Sequence, residues 1–239
     1  MSERKNTNFI ILGISIFLGL AVFGWIVSGA AIKVKEYERT VTAKGLSERE
    51  YDADIVIWPI RFNSASNDLS QLYNNIERNT KEIEKFLTDK GIEQSEITFG
   101  APAITDKLAQ QYGGNERAEF RYTAFQNVTV YSKKVKAVRE LMSSLSTLGK
   151  KGIVFSGMNY EAQTEYIFTR LNEIKPEMIE EATKNAREVA QKFASDSESE
   201  LGKIKKAYQG QFSIRPRDNN NPHIKKIRVV STVEYYLSD

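Results

Sequence analysis

The sequence predicts an α+β fold of mixed and antiparallel strands packed with about three amphipathic helices, preceded by one transmembrane helix. Residues 9–32, FIILGISIFLGLAVFGWIVSGAAI, carry no charge, in a chain of which 27% of residues are Asp, Glu, Lys or Arg. Behind that run, two-residue apolar alternation and helical apolar spacing succeed one another. The strand-like stretches come mostly in hairpin-like pairs, which suits α+β better than a parallel, doubly wound sheet.

A helix rises about 1.5 Å per residue, so the uncharged run reaches beyond the roughly 30 Å hydrocarbon core of a bilayer. Trp25 stands near its C-terminal end, where an aromatic belt lies. A buried core helix rarely has this length without a polar face. A cleaved secretory signal is the rival reading, with Arg4 and Lys5 as its basic start and Ser28-Gly29-Ala30 as small residues before the cut. The run outlasts a signal core of roughly 7–15 residues, so an uncleaved anchor is expected. Flanking charge does not choose an orientation, because Arg4 and Lys5 precede the span and Lys33, Lys35 and Arg39 follow it. The chain therefore divides into a tail (1–8), an anchor (9–32), a connector (33–39) and one folded domain (40–239).

That domain of about 200 residues suffices for one sizeable core or two small ones. The 34 Lys and Arg against 31 Asp and Glu leave a net charge of +3, which gives no reason to expect nucleic-acid binding. There is no cysteine, so disulfides and thiol chemistry are excluded.

Val41 to Gly45 opens a strand. Val56, Trp58, Ile60 and Phe62 alternate along the next, and Pro59, which cannot donate to a ladder, points to an edge or a bulge. Leu69, Leu72, Tyr73, Ile76, Ile83, Phe86 and Leu87 then line a helix capped by Asn67 or Asp68 and stopped at Gly91. A strand near Glu96–Ile104 leads to a polar loop, and Phe120, Tyr122, Ala124, Val128 and Val130 alternate through a long strand. Val135, Val138, Leu141, Met142, Leu145 and Leu148 mark a second helix ending at Gly149; Ile153–Phe168 holds one or two strands. Pro176 suits the first turn of a third helix, along which Ala182, Ala186 and Ala190 form a ridge of small residues. Two last strands, Ile204–Ile214 and Ile227–Leu237, flank the polar turn RPRDNNNPH. Strand–strand–helix thus occurs twice in the first half.

Catalytic signatures are absent. His223 is the only histidine, which excludes a conventional zinc centre, and no nucleophile elbow accompanies it. Asp52 and Asp54, two apart on a strand, would share a face as a carboxylate pair, though acids at a strand entrance are the commoner case. Asp218-Asn219-Asn220-Asn221 lacks the glycine and glutamate of a calcium loop and reads as a turn. Asp196, Glu198 and Glu200 read as a hydrated helix exit. Tyr112-Gly113-Gly114 and Leu148-Gly149-Lys150 miss phosphate-loop spacing. No catalytic residue, metal or cofactor is expected. The clearest charge feature is C-terminal: Lys203, Lys205, Lys206, Arg215, Arg217, Lys225, Lys226 and Arg228 follow the acid-rich stretch 161–200. Arg215, Arg217, Lys225, Lys226 and Arg228 are the candidate contacts for an anion or an anionic partner, against the ordinary reading of solvated strand edges guarded by lysine.

VTAKGLSEREYDADIVIWPIRF, the helix with LY..I.....EIEKFL..KGI, the block LNEIKPEMIEEATKNAREVAQKFASDSESELGKIKKAYQGQFSI and the terminal KKIRVVSTVEYYL together resemble the SIMPL-domain (DUF541) family. The chain departs from the family where Ala43-Lys44-Gly45 replaces a G-x-G-like opening and Tyr51-Asp52 a Pro-Asp. The resemblance implies a bacterial, exported or envelope-attached α+β protein. It also implies ring-like oligomers, a link to envelope stress tolerance and no catalytic residues to carry over. The expectation is thus a non-enzymatic, single-pass protein of the bacterial inner membrane with its domain outside the cytoplasm, periplasmic in a Gram-negative cell. It would be a homo-oligomer that assembles or binds an envelope partner, confinement to a surface making weak contacts productive. The alternative is a hydrolase or transferase acting on cell-wall or lipid material through Asp52 and Asp54.

Overall fold

The computed structural model describes residues 3–36, 39–109, 119–156 and 163–238, with side chains of the first helix described from Leu12 to Ala30. That helix, α1 (Glu3–Glu36), overruns the uncharged stretch at both ends and takes in the start of the expected connector. Its apolar part, Leu12–Ala30, is 19 residues long with no residue buried, hence about 28 Å of lipid-compatible helix. It is not a core helix.

The chain forms two compact units, one of residues 1–48, 174–213 and 228–239, the other of residues 49–173 and 214–227. The second is built on two long antiparallel strands, β2 (Ile55–Ser66) and β5 (Tyr122–Ser132), paired from Val56↔Ser132 to Ser66↔Tyr122. Beyond β5 lie β3 (Ile97–Phe99) and β4 (Ala103–Asp106); beyond β2 lie β6 (Val154–Phe155) and β7 (Glu165–Ile167). Helix α2 (Leu69–Asp89) covers this sheet through Leu72, Ile76, Ile83 and Leu87, which meet Val56, Trp58, Ile60, Phe62, Val128 and Val130 in one core. Asp68 caps it, accepting from the Gln71 amide at 2.7 Å. Gly91 follows it at φ 87°, a left-handed stop that favours glycine.

Three expectations change here. Pro59 is not on an edge: β2 is internal, pairing with β5 on one side and with β6 and β7 on the other. Among the described residues the β7 pairs end at Ile57 and the β6 pairs begin at Phe62, so Pro59 has no described partner on that side. The strand expected over Glu96–Ile104 is a 3-10 turn (Gln94–Glu96) followed by β3 and β4, divided at Gly100-Ala101-Pro102. The second helix is likewise split into α3 (Val135–Ser144) and α4 (Ser146–Gly149), since the Leu145 amide bonds Met142 O, three residues back instead of four.

The first unit carries β1 (Thr40–Asp52), β10 (Ile224–Ser238) and β8 (Glu200–Gln209) in the order β1-β10-β8; the far ends of β1 and β10, with most of β9 (Ser213–Pro216), belong to the second unit. The single expected strand Ile204–Ile214 is thus two, interrupted at Gly210, whose amide still bonds Val230 O. Helix α5 (Leu171–Asp196) starts five residues before Pro176. Its beginning is tied by Asp54, whose carboxylate holds Thr169 and Arg170, a contact that no local pattern contains. Ala182, Ala186 and Ala190, and Ala194 after them, are fully buried. They let α5 approach β1 so closely that a Cβ on Gly45 would overlap the backbone of Ala182 and Ala186. Ser47 donates to Glu181 at 3.0 Å and Asn185 donates to Leu46 O at 2.8 Å, which fixes the register of helix on strand. The fold is α+β with antiparallel sheets.

Candidate functional site

Within the second unit the inward residues of the central ladder shrink: Trp58, Ile60 and Phe62 give way to Ser64, paired with Ala124, and Ala65 is paired with Thr123. Helix α2 presents Asn75, Arg78 and Asn79 here, positions i, i+3 and i+4 of one face. With Thr105 of β4 and Asn63, Phe125, Gly152 and Val154, these groups line a cavity of about 500 Å³.

Asn79 is its most informative group. It falls in the stripe Leu72, Ile76, Ile83, Leu87 and is only 7% exposed. Its side chain makes no hydrogen bond among the described residues. Gln126, buried to the same degree, does have contacts: Thr80 Oγ1 lies 2.8 Å from its Oε1, and its Nε2 donates to Gly100 O at 2.7 Å. Asn79 thus places an amide on the cavity wall from within an otherwise apolar helical stripe. Arg78 is exposed. Its neighbour Glu82 is engaged by Lys151 at 2.7 Å, which holds the Glu82 carboxyl below its usual range. Among the described residues no carboxylate lines the cavity. Charge there is positive, and the neutral groups are amides and hydroxyls that both donate and accept.

The five cationic candidates have different fates. Arg215 and Arg228 are exposed, on β9 and β10, and Lys226 is half-buried. Arg217 pairs with Asp218 at 2.8 Å and reaches Glu50 at 3.6 Å. Lys225 is 8% exposed, and burial pushes its pKa down against the attraction of Glu165. It faces inward because neighbours along β10 alternate sides, so it is corrected out of the surface contact set.

Asp52 and Asp54 do not share a strand face. Strand β1 ends at Asp52, and Asp54 sits in the bend before β2. The Asp54 carboxylate accepts from the Thr169 amide at 3.0 Å, from Thr169 Oγ1 at 3.1 Å and from Arg170 Nε at 3.2 Å. Burial pushes that carboxyl up, but these donors outweigh it and leave it below the usual range. Asp218 closes the expected turn by accepting from the Asn220 and Asn221 amides, and Arg217 pulls its carboxyl down to about 2. His223 is structural: its carbonyl accepts from the Ala53 amide at 2.8 Å and its ring stands edge-on to Tyr166. Its Nδ1 is buried without a partner, and burial lowers its pKa, with Arg139 adding to the effect. Asp196 ends α5 and Glu200 opens β8, and among the described residues no group of three His, Asp or Glu is placed to hold a metal. Tyr112-Gly113-Gly114 lies outside the described residues, and Leu148-Gly149 ends α4 ahead of a turn.

A sequence signal for the cavity exists: one asparagine in an otherwise apolar helical stripe, facing a strand whose inward residues turn small. The SIMPL family model, described as a protein of unknown function (DUF541), matches residues 41–234. No curated protein matches the chain.

Proposed function

The chain belongs to the SIMPL (DUF541) family, and on that premise we propose that it is a membrane-anchored, non-enzymatic binding and assembly module of the bacterial envelope. The observation that carries this reading is the fully exposed apolar helix Leu12–Ala30 directly ahead of the family domain. The helix stays attached as a single-pass inner-membrane anchor. The domain stands outside the cytoplasm, on the periplasmic side in a Gram-negative cell, where it self-associates and binds an anionic envelope partner. A contribution to envelope stress tolerance fits that placement. The carboxylate-hydrolase alternative loses support from Asp54, whose oxygens are already taken up by Thr169 and Arg170.

The test is the intact mass of the protein extracted from carbonate-washed membranes. The reading expects a species that retains the residues before Ala31. A dominant species beginning at Ala31 would make Ser28-Gly29-Ala30 a cleavage site and overturn the anchor.

A further inference from the structure

We propose that the cavity between α2 and the β2–β5 ladder binds a small hydroxylated monocarboxylate, with its carboxylate at Arg78 and its hydroxyls at Asn75 and Asn79. This deepens the binding role proposed above and does not depend on the anchor. Asn79 is the first support. It lines the cavity at 7% exposure and makes no side-chain hydrogen bond among the described residues, so its amide is available to a group that enters the cavity. Neighbouring Gln126, by contrast, donates from Nε2 to Gly100 O and has Thr80 Oγ1 2.8 Å from its Oε1. An amide offers an acceptor and two donors, which matches a hydroxyl that must do both. Thr105 and Thr123 add groups of the same character.

Charge narrows the class. Among the described residues the lining holds one cation, Arg78, and no carboxylate, which disfavours amines and divalent metals. The planar guanidinium fork suits a carboxylate; Glu82 beside it bonds Lys151 at 2.7 Å, with Arg78 adding a weaker attraction to the same carboxyl. A phosphate dianion would ask for more positive charge than one arginine brings. A volume of about 500 Å³ lies in the range of small-molecule sites.

The experiment is titration calorimetry of the full-length protein in detergent with glucuronate, glucose and acetate. Glucuronate carries both features, glucose only the hydroxyls and acetate only the charge. We expect glucuronate to bind at millimolar concentration or below and the other two at least about tenfold more weakly, the size of one lost charge-assisted hydrogen bond. Asn79→Leu should abolish binding while keeping or raising the melting temperature, since it completes the apolar stripe. Arg78→Gln, at an exposed position that folding tolerates, should weaken glucuronate about tenfold and leave glucose unchanged. Glucuronate binding no tighter than glucose, unchanged in Arg78→Gln, or absent at about 10 mM would each overturn the proposal. None of these results bears on whether residues before Ala31 are retained, so a failed site and a failed anchor remain distinguishable.

Discussion

Lys225 shows how one side chain can read as surface charge and behave as core. At 8% exposure its ammonium is held near Glu165, itself exposed, and burial disfavours the charged form. Lys225→Met keeps the volume, removes the buried charge and leaves only a solvated carboxylate unpaired; it should be neutral or stabilise by about 1 kcal/mol. Lys225→Glu places a second acid near Glu165 and should cost about 3 kcal/mol. Because the folded-state pKa is depressed, wild-type stability should also rise with pH up to about 10.4, and Lys225→Met should remove that rise. Chemical denaturation across pH checks all three. The inward placement is legible from the odd-numbered stripe Ile227, Val229, Val233, Tyr235: carried back two residues, it puts Lys225 on the core face. That period-2 signal outweighs the local count of positive charges.

Among the elements, α5 on β1 is the most sharply specified contact. The four-residue recurrence of alanine announces a close approach, and Gly45 is where the partner strand accepts it. Gly45→Ala should destabilise by about 3 kcal/mol or more, since backbone on α5 would have to move. Gly91→Ala, in open space but at positive φ, should cost about 1 kcal/mol. Urea denaturation of the two variants separates contact from conformation. Which strand receives the ridge is not legible, because the contacting residues Ser47 and Glu181 lie 134 positions apart along the chain. Pro59 teaches the same lesson: its missing donor points to an edge or a bulge, and only the pairing of β5, β6 and β7 reveals that its strand is internal. Helix α2 has its cap, stop and the stripe Leu72, Ile76, Ile83 and Leu87 legible in its local sequence, but Leu69 and Tyr73 of the expected apolar side lie exposed and the buried Asn79 lines the cavity.

At the scale of the whole molecule, the strand edges bear on the proposed self-association. Edge strand β8 exposes Ile204 and Tyr208 but carries Lys203, Lys205 and Lys206, so two β8 strands pairing with each other would bring lysines together. Assembly by unlike surfaces, basic against the acid-rich stretch of another copy, avoids that repulsion and closes into a ring when its rotation permits. The detergent-solubilised chain should therefore scatter light as an oligomer at low salt and shrink near 1 M, where screening acts over about 3 Å. A monomer at low salt and high protein concentration would remove self-assembly from the account. The measurement closest to the central claim is protease digestion of intact spheroplasts. With the helix as an anchor and the domain outside the cytoplasm, the region after Lys35 should be digested while the membrane is whole. Protection of that region until the membrane is lysed would place the domain in the cytoplasm and contradict the account.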